Sequence, residues 1–142
     1  MEGNLKTYRD VETVSKSQID LILQVYDGAI KAYNQAADYY KVKDFDKGYE
    51  QLERSKRFIT HLYTTLDEKK GGEVAANLGK LYAFLLNQTD FIQGTKDLKA
   101  LDDNINIISE LRLGWQGLKD QGIEGQNNSD KSPNPGSFRG SA

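Results

Sequence analysis

The chain of 142 residues contains no cysteine, one histidine and only two prolines. Without a thiol it can build no disulfide framework, thiolate nucleophile, zinc knuckle or iron–sulfur site, and His61 has no second histidine with which to share a metal. Basic residues do not predominate: 19 Lys and Arg stand against 21 Asp and Glu, for a net charge of −2. Binding of nucleic acid through counterion release is therefore not expected. The longest apolar run, at 81–86, is far short of the roughly 20 residues of a membrane span. The first residues, MEGNL, lack the basic stretch and apolar core of a secretory signal. These absences fit a cytoplasmic chain and leave a small binding or structural protein as the expected class.

Catalysis has little to work with. A carboxylate-bridged metal site in a helical bundle needs a Glu-x-x-His pair on each of two helices. Here Phe58, not a carboxylate, stands three residues before the lone His61. Neither phosphate-binding glycine pattern, GxGxxG or GxxxxGK[ST], occurs. Gly71 and Gly72 read as a turn, and Glu50, Glu53, Asp102 and Asp103 read as solvated helix faces. Neither an enzyme nor a cofactor is expected.

What the sequence does contain is helical periodicity. Both prolines, Pro133 and Pro135, fall in the segment 122–142, which is dominated by Gly, Ser, Asn and Pro. Only Ile123 and Phe138 there are large and apolar, so this segment is expected to be a disordered tail. Ahead of it, Ile19, Leu23, Tyr26, Ile30, Tyr33, Ala37 and Tyr40 recur in steps of three and four. They predict a helix over about 17–42, with Ser15 or Ser17 as its cap. A short connection ending in the acidic cap Asp44 leads to a second stripe, Phe45, Tyr49, Leu52, Ser55, Ile59, Leu62 and Leu66. After the turn at 69–72 comes a third stripe, Val74, Leu78, Leu81, Leu85 and Ile92, broken at Gly94. The fourth, Leu98, Leu101, Ile105, Ile108, Leu111, Trp115 and Leu118, is expected to end at Gly122. Four amphipathic helices with short connections predict an all-α, antiparallel up-and-down four-helix bundle over 17–121. Residues 1–16 form a short N-terminal arm in which Leu5, Tyr8, Val11 and Val14 recur every three residues and suit docking on the bundle surface.

Eight tyrosines, five phenylalanines and one tryptophan are spread through the chain. Tyr combines an apolar body with a polar tip and serves cores and binding faces equally. The run LYAFLL at 81–86 covers more than one helix face. It is either one side of a thick core or a second apolar surface for a partner helix. Gly28 and Gly79, inside strong helices, imply close approach of another segment, from within the bundle or from a partner.

Several strings together carry a family resemblance. They are YRDV at 8–11, VYDGAI at 25–30, LD at 66–67, GGEVAANL at 71–78 followed by LY at 81–82, and Trp115. Over about residues 8–120 the chain resembles FliS, the flagellar export chaperone family. The resemblance implies a cytoplasmic helical bundle that binds the disordered C-terminal segment of flagellin. That segment folds into helices on the chaperone, which prevents premature polymerisation before type III flagellar export. It also implies an arm whose tyrosine, here Tyr8, covers part of the empty groove, and it allows further partners among regulators and the export apparatus. Tyr8 and Val11 are the candidate arm contacts, and Tyr26, Leu78, Leu81, Tyr82 and Phe84 the candidate groove residues. The competing reading is a four-helix adaptor or self-associating structural protein with another helical partner.

Overall fold

The computed structural model describes the backbone of residues 2–127 and the side chains of residues 18–67, 69 and 71–122. The described residues fold as four helices: α1 (Glu2–Lys41), α2 (Phe45–Thr64), α3 (Glu68–Thr95) and α4 (Leu98–Asn127). No strand occurs among the described residues. The all-α class and the number of helices agree with the periodicity.

Two boundaries differ from expectation. Helix α1 begins at Glu2 rather than near residue 17, because nothing between Asn4 and Asp27 is a glycine or proline and a serine interrupts a helix only weakly. Helix α4 continues through Gly122 to Asn127. A helical glycine costs about 1 kcal/mol relative to alanine and does not by itself end a helix. The side chains of Tyr8 and Val11, and the expected tail from residue 128 onward, lie outside the described residues.

The two connections at one end of the bundle use the same device. Lys43 (φ 62°) and Lys96 (φ 60°) each take a left-handed conformation that closes the preceding helix. The Lys96 N–H returns to the Ile92 carbonyl at 2.7 Å, and that of Lys43 to Tyr40 at 3.0 Å. An aspartate follows each lysine and caps the next helix. Asp44 accepts from the Lys47 N–H at 3.3 Å, and Asp97 from that of Ala100 at 3.1 Å. At the other end Gly72 departs from helical geometry inside α3, with φ 57° and ψ −133°. Only glycine enters that region readily, which places the break where the sequence signalled a turn.

Side-chain pairs give the helix directions. Between α1 and α4, Asp27 meets Arg112 and Asp20 meets Lys119. Between α2 and α3, Lys56 bonds Asp90 and Glu53 bonds Gln93. In each set one residue number rises as the other falls, the mark of antiparallel neighbours. Across the bundle diagonal, Tyr26 meets Tyr82 and Tyr33 meets Thr89, both 56 residues apart, so α1 and α3 run parallel. Helix α1 packs most extensively on α2, and α3 packs least on α4. The result is an up-and-down bundle closed by α1 against α4.

Tyr26, Tyr33, Leu52, Ile59, Tyr82, Leu85, Ile92, Leu101 and Ile108 fill the core. The second stripe needs one correction. Tyr49 is 49% exposed, and Gly48 takes the buried position. A Cβ at Gly48 would lie 2.3 Å from the Tyr40 ring, so α2 approaches α1 through the glycine and Tyr49 points outward. Gly28 serves the same purpose against the Phe58 ring, 2.6 Å from where its Cβ would be. That glycine therefore admits a neighbour from within the bundle.

Candidate functional site

An apolar pocket of about 290 Å³ opens where α2 passes into α3. Leu62 comes from the last turn of α2, Leu66 from the connection after it, Val74, Ala75, Leu78 and Tyr82 from α3, Ile22 from α1 and Trp115 from α4. The chain folds this way locally because Gly72 ends one turn of helix and lets α3 restart, so that Val74 and Leu78 face back toward Leu66. Thr65, Asp67 and Gly71 complete the lining.

Behind the apolar lining lies a short polar chain. The Trp115 indole N–H donates to the Tyr26 hydroxyl at 3.0 Å, and the Tyr26 and Tyr82 hydroxyls meet at 2.5 Å. Burial pushes both phenols above their ordinary value of 10.0. They therefore act as neutral hydrogen-bonding groups.

A second buried layer follows one heptad further along α1 and α3. The Thr89 hydroxyl donates to the Leu85 carbonyl at 2.7 Å, so its contact with Tyr33, also 2.7 Å, uses the Tyr33 proton. The Tyr33 oxygen then accepts from the Asn104 amide at 3.3 Å. No buried side-chain polar atom among the described residues lacks a partner. Such fully paired polar layers fix which residues face each other across the core.

The candidate groove residues separate into three environments. Leu78 and Tyr82 are buried and line the pocket. Tyr26 is fully buried behind it and reaches it only through Tyr82 and Trp115. Leu81 is half-buried, and Phe84 is 45% exposed outside the pocket. Leu81 and Phe84 continue through Gln88 to Phe91, itself 49% exposed, on the flank of α3 turned away from the α2-facing Asp90 and Gln93. This flank is the one beside α4, where helix contact is thinnest. At 100° per residue, α4 offers the half-buried Ala100 and Ile107 to the same seam.

Sequence reading did not assign Ile22, Leu62, Thr65, Leu66, Val74, Ala75 or Phe91 to the groove. Leu66 and Val74 flank the strong turn signal, and that position was the one available clue that they meet. Among the described residues no group of three or more His, Asp or Glu could hold a metal ion, and no helix is long and apolar enough to cross a membrane.

The chain matches the family described as "Flagellar protein FliS" over residues 1–122. It is 29% identical over 119 residues to the flagellar secretion chaperone FliS of Vibrio cholerae, covering 81% of this chain and 88% of that protein. The FliS chaperone of Salmonella typhimurium is 27% identical over 119 residues, covering 80% and 88%. That of Campylobacter jejuni is 25% identical over 118 residues, covering 82% and 92%. These relatives are named as secretion chaperones rather than enzymes. With the bundle, the paired polar core and this match in place, the chain belongs to the FliS family of flagellar proteins.

Proposed function

We propose that this protein is a cytoplasmic flagellar export chaperone that binds the disordered C-terminal segment of flagellin and holds it from polymerising before type III export. The observation that carries the proposal is the pairing of an open apolar pocket at Leu66, Val74 and Leu78 with an exposed aromatic flank on α3, in the segment that bears the family strings. A segment folding into amphipathic helices on this surface places one apolar side chain in the pocket and others along Leu81, Phe84 and Phe91. Burial of that apolar area offsets the cost of ordering the client. Tyr8 and Val11, which the first turns of α1 carry, are proposed to cover part of the groove until the client displaces them. The further partners allowed are regulators and components of the export apparatus.

Val74→Glu and Phe84→Glu test the reading, since both side chains reach the surface. Each is expected to weaken flagellin-segment binding at least about tenfold while the helical circular dichroism stays unchanged, as a charge set against an apolar contact typically costs more than 1.4 kcal/mol. Unchanged affinity in both variants refutes this placement of the groove. A constitutive dimer that hides the α3 flank would instead favour the self-associating adaptor.

A further inference from the structure

The family match ends at residue 122, yet the chain continues with a segment whose only large apolar residue past α4 is Phe138, followed by Arg139. We infer that Phe138 docks reversibly into the apolar pocket at Leu66, Val74, Leu78 and Trp115, making the C-terminal segment an internal occupant of that pocket.

Three observations carry this. First, α4 leaves the bundle at the pocket's own end: Trp115 lines the pocket and the helix runs on to Asn127. That extension of twelve residues carries the chain about 18 Å beyond the pocket. Second, the chain length fits the return. Phe138 follows Asn127 by eleven positions through a sequence rich in Ser, Asn, Pro and Gly. A flexible chain of that length has a root-mean-square span of about 17–20 Å. Effective concentration is highest when span and distance match, and reaches the millimolar range for short linkers. Third, the chemistry is complementary. The pocket is walled by aliphatic side chains and Trp115, and the Asp67 carboxylate in its lining accepts from the Lys69 N–H at 3.1 Å. A single aromatic side chain suits this apolar wall. The pocket is the one proposed above to take a client side chain, but docking of Phe138 there does not depend on the client's identity.

The experiment uses the full chain. With no native cysteine, Ser141→Cys accepts a single nitroxide label, and the indole N–H of Trp115, the one tryptophan, reports from the pocket. The label is expected to attenuate the Trp115 indole resonance, and Phe138→Ala is expected to reduce that attenuation at least about twofold, as for a docked state occupied about half the time. Tenfold dilution should leave the effect unchanged.

Absence of attenuation, or equal attenuation with and without Phe138, overturns the inference. Loss of the effect on dilution also overturns it, by assigning the pocket to the tail of a second copy. A label at Thr7→Cys that attenuates Trp115 while one at Ser141→Cys does not assigns the pocket to the N-terminal arm and overturns it as well. Phe138 follows in sequence the last described helix, which ends at Asn127, so its replacement leaves the described bundle available for every comparison.

Discussion

The hydroxyl pair behind the pocket provides a quantitative test of how this bundle is held in register. Tyr26 is fully buried and Tyr82 is 1% exposed, with their hydroxyls 2.5 Å apart and the Trp115 indole N–H donating to Tyr26. Tyr82→Phe removes one hydroxyl with little change in volume and takes a partner from the buried Tyr26 hydroxyl. Tyr26→Phe takes a partner from Tyr82 and the acceptor from this bond of Trp115. Leaving a buried polar group without its partner costs about 1–3 kcal/mol, whereas removing both partners together is nearly neutral. Each single variant is therefore expected to lose about 1–3 kcal/mol. The double variant should lose less than the sum, with a coupling of about 1 kcal/mol or more. Urea unfolding followed by circular dichroism measures all four corners of the cycle, with Trp115 fluorescence as a second probe. Strict additivity, or single variants as stable as the parent, refutes the reasoning.

Other consequences are equally direct. Gly28→Ala should destabilise by about 1–3 kcal/mol because its Cβ would sit 2.6 Å from the Phe58 ring, and Phe58→Ala in the same chain should make the glycine substitution harmless. Gly72→Ala should cost at least about 1 kcal/mol through its positive φ alone. By contrast Gly94→Ala, in a helix with open space around the new methyl, should stabilise by about 0.4–1 kcal/mol in the same urea titrations. Tyr26, Tyr33 and Tyr82 all have phenols raised above 10.0, chiefly by burial. The folded state thus keeps protons that the unfolded chain loses. These groups contribute no pH dependence below 10, and stability should fall as pH rises above that value, read as a declining urea midpoint. A midpoint that rises through this range refutes the burial argument.

The bundle was legible because its cause is local. Steps of three and four place apolar residues on one side of each helix, and the Asp44 cap and the Gly72 turn each carry their own chemical signature. The helix ends were less legible. Whether α1 starts at Glu2 or near residue 17 depends on sequence free of strong breakers, and periodicity gives no sharp stop there. Tyr49 was misplaced for a tertiary reason: Gly48 supplies the space that Tyr40 needs, and a missing side chain leaves no apolar mark in the sequence. The polar partners of the core were also hidden. Thr89 and Asn104 are polar residues that no periodicity marks as core, and only the bundle sets them opposite Tyr33.

The candidate site was legible in part for the same reason. Its α3 contribution lies in one string, 71–84, so Leu78, Leu81, Tyr82 and Phe84 could be named together. Ile22, Leu62 and Trp115 come from three other helices, and only packing brings them to the pocket. Tyr26 carries part of the family motif yet lies behind the pocket, where it supports Tyr82 and Trp115 rather than facing solvent.

The central claim is coupled folding and binding of flagellin's C-terminal segment. Calorimetric titration of the full chain with that segment from the same organism, with circular dichroism recorded on the mixture, tests it most directly. The account predicts saturable binding near one to one, with more helix in the mixture than in the separated components. A folded bundle that releases no heat with the segment and gains no helix would contradict it.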